Sequence, residues 1–168
     1  MILFWLVTII VLSLGWVVFR GAPYVPSQNR YIKRAFTQLY PLSSKDVLVD
    51  VGSGDGVVLR RAAFYGAHAI GYELNPLLVV ISRFLSRSYG LVSIELADFW
   101  TTELPIDTTV VYAFLVTRDV KKMIAKMQTE ATRLNRSLYF ISYGNVLPSM
   151  MAEKTLDAYG LYCFHPLH

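Results

Sequence analysis

The sequence predicts an α/β domain with a doubly wound, mostly parallel sheet, preceded by one transmembrane helix. Three observations support this prediction. Short runs rich in β-branched apolar residues alternate with helical segments, which is typical of βαβ units. A glycine-rich loop follows the first of these runs. The first 19 residues contain no charged side chain, whereas 17% of the 168-residue chain is charged and 54% is apolar.

The composition excludes several classes of protein. High apolar content with low charge excludes intrinsic disorder. Ten glycines and seven prolines show no repeat, which excludes collagen-like and low-complexity chains. The single cysteine, Cys163, excludes a disulfide framework and a cysteine-cluster metal site. His165 and His168 alone do not make a metal site, so no metal is expected.

Residues 1–19 have the length and composition of a membrane anchor. As a helix they would span about 28 Å, close to the hydrocarbon thickness of about 30 Å. A positively charged n-region and a clear small-residue cleavage site are both missing, which favours a retained anchor over a cleaved signal peptide. A third alternative, an ordinary buried helix, is disfavoured because no amphipathic pattern is visible. We therefore expect contact with a lipid bilayer through residues 1–19.

Basic residues after this segment predict the orientation of the chain in the membrane. No acidic residue precedes Asp46. The basic residues before it are Arg20, Arg30, Lys33 and Arg34. By the positive-inside rule, the following domain faces the cytoplasm, at a prokaryotic inner membrane or, in a eukaryote, an organelle membrane. The net charge of +4 could also indicate nucleic-acid binding, but basic residues beside the membrane favour anionic lipid, and no nucleic-acid partner is expected.

The remaining elements follow from apolar periodicity and from glycine and proline positions. Residues 20–45 read as a linker and a first helix, and residues 46–168 as one domain. Helices are predicted at 28–39, 57–65, 76–89 and 118–134. Strands are predicted at 47–51, 68–72, 92–96, 108–115 and 137–143, with a last short strand at 161–165.

The loop that follows the first strand is the main functional signal. It contains Asp50, Gly52, Ser53, Gly54 and Gly56. Glycines there allow a tight turn and close approach to a ligand, in the crevice where open α/β sheets bind ligands. A dinucleotide fingerprint needs a third glycine at position 57, where this chain has valine, and the lysine of a phosphate-binding Walker loop is absent. The loop's acidic residues would also repel a pyrophosphate, so a cationic nucleoside such as S-adenosylmethionine fits better.

Acidic residues end the second and third strands. Glu73 is placed to accept hydrogen bonds from both ribose hydroxyls of a nucleoside. It is followed by Leu74 and by Asn75, a plausible N-cap for the next helix. Asp98 is placed to accept the exocyclic amine of adenine, with Phe99 or Leu74 against the ring. Together with the glycine loop, these residues predict a nucleoside cofactor site.

These motifs resemble those of a known enzyme family. Residues 50–56 are similar to motif I of class I S-adenosylmethionine-dependent methyltransferases, and Glu73 and Asp98 resemble the two acids that follow it. The strings PYVPS, VDVGSGDG, GYELNP and ADFW resemble the membrane-anchored protein-lysine methyltransferases of the ATP synthase c-subunit and adenine nucleotide translocase type. The resemblance covers about residues 23–143. It implies a Rossmann-like sheet, S-adenosylmethionine as cofactor and a lysine acceptor on a membrane protein.

Four aromatic residues are candidates for lining the acceptor site, because aromatic faces attract a sulfonium or ammonium. They are Tyr24, Trp100, Phe114 and Tyr143. Each of them also fits ordinary packing. The fourth strand ends without an Asn/Asp-Pro-Pro-aromatic signature, which disfavours methylation of glutamine or adenine. Two alternatives stay open: a small-molecule or lipid-associated methyltransferase, and a non-catalytic S-adenosylmethionine-binding membrane protein.

The last 25 residues are few for the antiparallel hairpin that usually closes sheets of this family. We expect one short final strand there and an open acceptor side.

Overall fold

The computed structural model describes Met1, Trp5, Thr8 and residues 29–167. Most of the predicted anchor at residues 1–19, the PYVPS segment with Tyr24, most of the linker, and His168 lie outside the described residues. In the part of the chain that is described, the structure contains no helix with the length and apolar character needed to cross a membrane.

Seven strands form one sheet in the order β3-β2-β1-β4-β5-β7-β6. Their bounds are β1 Val47–Val51, β2 His68–Glu73, β3 Val92–Leu96, β4 Val110–Phe114, β5 Leu138–Tyr143, β6 Lys154–Leu156 and β7 Tyr159–Phe164. The first five strands are parallel, and β7 is antiparallel to both β5 and β6. The doubly wound, mostly parallel sheet is confirmed. Because β1 lies between β2 and β4, the chain reverses direction across the sheet there, and a ligand crevice is expected at that point.

Helices cover both faces of the sheet. Their bounds are α1 Asn29–Arg34, which continues as a π-helical turn over Ala35–Leu39, then α2 Val57–Phe64, α3 Pro76–Ser86 and α4 Val120–Leu134. Buried residues of α1, α2 and α3 share one core with Leu48 and Tyr112. Buried residues of α4 share the other core with Val49 and Val111. The alternation along β1 and β4 therefore separates two apolar layers, as expected for buried parallel strands.

The end of the chain corrects the sequence prediction. A single strand was expected at 161–165, but the structure has a hairpin in which β6 pairs with β7. Asp157, at a φ of +53°, supplies the left-handed turn between the two strands. Strand β6 has only three residues, Lys-Thr-Leu, which is too short for a periodic pattern to show. The sheet therefore ends in an antiparallel hairpin, and the expectation of one short final strand is wrong. The open acceptor side stays a prediction.

Several element ends also differ from the predicted bounds. Helix α3 ends at Ser86 because the next residues turn, with the amides of Arg87 and Tyr89 bonding to the carbonyls of Phe84 and Ser86. The predicted helix at 118–134 begins as a 3₁₀ turn, Thr117–Asp119, before α4.

Candidate functional site

The glycine loop adopts a conformation that only glycine takes without cost. Gly52, Gly54 and Gly56 have φ values of +70°, +56° and +79°. A residue with a Cβ pays roughly 1–2 kcal/mol in this left-handed region. The amides of Gly52 and Ser53 donate to the carbonyl oxygen of Tyr72 at 2.9 and 3.1 Å. The loop is therefore tied to the carboxyl end of the neighbouring strand β2.

Glu73 joins the glycine loop to the start of α3. Its carboxylate is buried, and its Oε2 accepts a hydrogen bond from the amide of Gly54 at 2.9 Å. Its Oε1 accepts from the amide of Asn75 at 2.8 Å. Each carboxylate oxygen has two acceptor positions, so both oxygens can still accept from hydroxyl groups. Glu73 therefore orders the loop and leaves acceptor capacity for a ligand.

Asn75 is the predicted N-cap of α3, and the structure confirms it. Its Oδ1 accepts a hydrogen bond from the amide of Leu77 at 2.9 Å, and Pro76 occupies the first helical position. These two features fix the helix start beside Glu73.

Two buried polar atoms beside the loop have no partner among the described residues. They are Oδ2 of Asp50 and Oγ of Ser53. A Cβ built on the exposed Gly52 would meet no atom within 4 Å, so the space over the loop is open. An unpaired carboxylate next to open glycine backbone fits a ligand that carries a positive charge and approaches the main chain closely. The residues present thus fit S-adenosylmethionine.

The electrostatics of the site point the same way. Burial, and then the nearby charges of Glu73 and Asp55, raise the pKa of Asp50 well above its ordinary value. The carboxylate of Asp55 lies 3.5 Å from the guanidinium of Arg60 and accepts from the amide of Val57 at 3.2 Å. A pyrophosphate would add negative charge beside these carboxylates, whereas a sulfonium or an ammonium would relieve their repulsion.

Asp98 and its neighbours lie just past the end of β3. Asp98 is half-buried, and its Oδ1 accepts from the amide of Trp100 at 2.9 Å. Phe99 is buried in the core on the α4 side, at 4% exposure, whereas Leu74 is exposed. Of the two residues predicted to face an adenine ring, Leu74 has the free surface for that contact.

The structure separates the candidate acceptor residues into two groups. Trp100 is half-buried on the α4 side, where the ammonium of Lys122 lies 4.2 Å from the centre of its ring. Phe114 and Tyr143 end adjacent strands, and their ring centres are 5.5 Å apart. Phe114 and Tyr143 therefore form one aromatic pair at the carboxyl edge of the sheet, and Trp100 packs elsewhere.

Tyr159 extends this aromatic pair, and the sequence reasoning missed it. It opens β7 opposite Tyr143, and the two rings stack with centres 4.6 Å apart. Its hydroxyl is 3.3 Å from that of Tyr112, and burial raises its pKa to about 12. The almost continuous apolar and aromatic run Tyr-Gly-Leu-Tyr-Cys-Phe could have revealed it, because that run predicts a strand from 159 rather than from 161.

Two further residues that the sequence analysis weighed as metal ligands are Cys163 and His165. Cys163 is a half-buried free thiol, and Nδ1 of His165 lies 2.8 Å from the hydroxyl of Ser137. Over residues 29–167 and the three described residues before them, no group of three or more His, Cys, Asp or Glu side chains is arranged to hold a metal ion.

Comparison with known sequences finds lysine methyltransferases. No family model matches the chain. The chain is 36% identical over 111 residues to the lysine N-methyltransferase of the ATP synthase c-subunit from Xenopus laevis, covering 64% of this chain and 48% of the relative. It is 33% identical over 112 residues to the adenine nucleotide translocase lysine N-methyltransferase of Mus musculus, covering 64% and 48%. A protein-lysine N-methyltransferase from Saccharolobus islandicus is 29% identical over 115 residues, covering 64% of this chain and 69% of the relative.

Comparison with solved structures identifies the fold. An RNA methyltransferase from Salinibacter ruber, in complex with S-adenosyl-L-homocysteine, superposes with a TM-score of 0.73 at 24% identity, covering 86% of this chain and 95% of that one. An S-adenosylmethionine-dependent methyltransferase from Mesorhizobium loti gives 0.53 at 23% identity, covering 65% and 51%. The fold is that of the S-adenosylmethionine-dependent methyltransferases. The resemblance inferred from the motifs is confirmed, since the relatives bear the names of both lysine methyltransferase types. The chain spans about half the length of most of the curated relatives it matches.

Proposed function

We propose that this chain is an S-adenosylmethionine-dependent methyltransferase whose acceptor is a lysine side chain of a membrane protein. The observation that carries the proposal is the position of Glu73, which holds Gly54 and Asn75 at the crevice beside the unpaired carboxyl of Asp50. The names of the sequence relatives support a lysine acceptor.

Each residue of the crevice is proposed to contact a different part of the cofactor. When bound, S-adenosylmethionine supplies a methyl group already activated on a sulfonium. Glu73 is placed to accept from the ribose hydroxyls, Asp98 to accept from the adenine amine, and Leu74 to cover the ring. The open backbone at Gly52 admits the methionine portion, and Asp50 faces its positive charge.

The aromatic residues at the carboxyl edge suit a lysine acceptor. Lysine must lose its proton before its nitrogen can accept a methyl group, and an apolar environment lowers the pKa of an ammonium. Phe114, Tyr143 and Tyr159 form a continuous aromatic group at the ends of β4, β5 and the start of β7. Their rings would exclude water from the lysine, which favours its neutral form, and would attract the sulfonium of the cofactor by cation–π contact. Tyr24 is proposed to contribute from the segment before α1.

The membrane part of the proposal comes from the sequence. Residues 1–19 are proposed as a retained single-pass anchor, and the basic residues that follow place the catalytic domain on the cytoplasmic side. An acceptor on a membrane protein is then within reach, because the cofactor crevice is tethered near the lipid surface.

Calorimetry of the full chain in detergent tests the cofactor assignment. We expect S-adenosylmethionine and S-adenosylhomocysteine to bind and NAD to give no heat. Binding of NAD in place of S-adenosylmethionine would contradict the proposal.

A further inference from the structure

Helix α3 presents its apolar face outward. Its residues that turn toward the sheet include Val79, Ser82 and Ser86, all of which are buried. Large apolar side chains on its outer side are between 38% and 63% exposed: Leu77, Val80, Ile81, Phe84 and Leu85. Their spacing, i, i+3, i+4, i+7 and i+8, is that of one helical stripe. An ordinary surface helix buries such a stripe and exposes its small polar residues, so this arrangement is inverted. We call these five residues the α3 face.

The residues on the inner side of α3 are small because the glycine loop packs against them. Gly56 lies against it, and a Cβ on Gly56 would stand 2.3 Å from the hydroxyl oxygen of Ser82. The glycine loop therefore requires small residues on the inner side of the helix. That packing places no demand on the outer side, so the large apolar residues there need a separate cause. Contiguous exposed apolar surface of this kind marks an interaction site.

Charges around the α3 face are positive. Residues 74–94 contain Arg83 and Arg87 and no carboxylate. The guanidinium of Arg87 lies 4.2 Å from the ring centre of Phe84, within the face itself. Arg60 of α2 lies on the inner side of the same end of the helix, with its Nη1 3.4 Å from the hydroxyl of the buried Ser86, and it is paired with Asp55, so it adds no unpaired charge to the face.

The acidic residues that flank this stretch, Glu73 and Glu95, both lie away from the α3 face. Glu73 is buried in the crevice, where it accepts from the amides of Gly54 and Asn75. Glu95 pairs in register with Tyr72, whose ring belongs to the core beneath α4. The side chain of Glu95 therefore lies on the face opposite α3, because residues in register on adjacent strands project to the same face of the sheet. The surroundings of the α3 face repel cations and attract anions.

We propose that the α3 face docks on an anionic lipid surface. A helix of 11 residues, about 16 Å long, can lie in the plane of the membrane interface with its apolar stripe among the acyl chains. Its arginines would then sit at the level of anionic headgroups. The two arginines of this stretch, Arg83 and Arg87, and the lack of any carboxylate within residues 74–94 favour lipid over an apolar protein groove. This contact is separate from residues 1–19 and does not depend on methyl transfer.

Docking through this helix would also orient the crevice. Helix α3 begins at Pro76, directly after Glu73 and the exposed Leu74. With the α3 face on lipid, the cofactor crevice opens at the membrane surface rather than away from it.

An environment-sensitive fluorophore at position 84 tests the proposal in the full chain. Phe84→Cys and, as the matched control, Thr129→Cys on the exposed side of α4 are each labelled in a Cys163→Ser background. We expect emission at position 84 to rise about twofold or more on adding vesicles of phosphatidylcholine with phosphatidylglycerol, and less with phosphatidylcholine alone. Emission at position 129 should stay unchanged. Val80→Glu should abolish most of the rise at position 84, and Thr129→Glu should not.

Three results would overturn the proposal. A fluorophore at position 84 that is already in an apolar environment without vesicles would mean that another part of the chain or a second copy covers the α3 face. Equal responses at 84 and 129 would mean that lipid contact does not involve this face. A response only to a purified membrane protein, with vesicles having no effect, would make the occupant a protein.

Discussion

Asp50 is the residue on which the electrostatics of the crevice depend. Its carboxyl is buried in the middle of the sheet, and Oδ2 has no partner among the described residues. Burial and the charges of Glu73 and Asp55 raise its pKa. A buried acid in this state destabilises the fold when ionised, and a positive ligand removes that cost.

A pH dependence of stability follows from this shift. The pKa of Asp50 is higher in the folded protein than its value of 3.8 in a model compound, so the folded state holds the proton over the range above 3.8. The free energy of unfolding therefore falls as the pH rises through that range. We expect Asp50→Asn to remove this decline and to be more stable than the wild type near neutral pH, while binding S-adenosylmethionine more weakly. Urea unfolding at about pH 4 and about pH 8 measures the fall in the free energy of unfolding in the wild type and in Asp50→Asn. An equal decline in both proteins would contradict the assignment.

Glu73 should contribute directly to cofactor affinity. Replacing it with glutamine removes the charge and turns one acceptor into a donor that faces a backbone amide or a ribose hydroxyl. We expect Glu73→Gln to weaken S-adenosylmethionine binding by about 1–3 kcal/mol, measured by calorimetry. Glu153→Gln, at an exposed position before β6, is the matched control and should bind normally. Unchanged affinity in a folded Glu73→Gln protein would show that Glu73 only orders the loop.

Two glycines of the loop should respond differently to alanine. Gly52→Ala places a methyl group in open space, so its folding cost is only the left-handed strain of about 1–2 kcal/mol. Gly56→Ala adds a clash with Ser82, so it should destabilise the protein more. Cofactor affinity, however, should fall in Gly52→Ala, because its methyl group enters the ligand space. Thermal unfolding of both variants measures the loss of stability, and calorimetry measures their affinity for S-adenosylmethionine. Undiminished affinity in Gly52→Ala would place the ligand elsewhere.

At the scale of elements, α4 holds the loop that follows β3. The ammonium of Lys126 donates to the carbonyl oxygen of Thr102 at 2.8 Å, and Arg133 donates to that of Leu104. Between them, Glu130 accepts from Lys126 at 2.7 Å and from Arg133, and Oε2 also accepts from the amide of Leu104. This network fixes the segment that carries Asp98.

Removing Glu130 should therefore destabilise the domain strongly. Burial alone would raise the pKa of Glu130, but its hydrogen bonds from Lys126 and Arg133 outweigh burial and hold the pKa below its ordinary value. Its stabilising effect is present above the unfolded-state pKa and is lost as the pH falls through the lower folded-state pKa. We expect Glu130→Ala to cost about 3–5 kcal/mol at neutral pH. Glu103→Ala, which removes an exposed partner of Arg133, should cost about 0–1 kcal/mol. Similar losses in urea unfolding would contradict the buried-network interpretation.

The elements that the sequence predicted well are those with a strong local signal. Strands β1 and β3 have the predicted bounds. The valine-rich run of β1 ends at Gly52, and β3 alternates apolar and polar residues. Helix α3 starts as predicted because Asn75 and Pro76 are a specific start signal. Strand β6 was missed because it has only three residues, two of them exposed, and is ordered through pairing with β7.

The site was predictable in outline for a topological reason. The carboxyl ends of adjacent parallel strands meet, so Asp50, Glu73 and Asp98 could be placed together from sequence alone. Long-range packing decided the rest. The burial of Phe99 and the stacking of Tyr159 on Tyr143 depend on elements far apart in the chain, and no local pattern encodes them.

At the scale of the whole molecule, the proposed function requires that the cofactor-binding domain be held at a membrane. Deleting residues 1–19 should leave the affinity for S-adenosylmethionine unchanged, because the residues proposed to bind the cofactor lie between Asp50 and Phe99. The same deletion should lower methylation of a membrane acceptor, since the crevice is no longer held near the lipid surface. Calorimetry of the full chain and of the deleted form checks the affinity, and methyl labelling of membranes by both proteins checks the methylation. Full-rate methylation of a soluble metabolite by the deleted form would favour the small-molecule alternative.

The most direct test of the proposed function is methyl transfer itself. The full chain is incubated with native membranes and S-adenosylmethionine carrying an isotopically labelled methyl group, beside a Glu73→Gln control. Labelled protein is then separated from lipid and soluble metabolites and sequenced by fragmentation mass spectrometry. We expect label on the side-chain nitrogen of a lysine in a membrane protein, greatly reduced in the control. Label in lipid or metabolites, or no transfer by a chain that binds S-adenosylmethionine, would contradict the proposal.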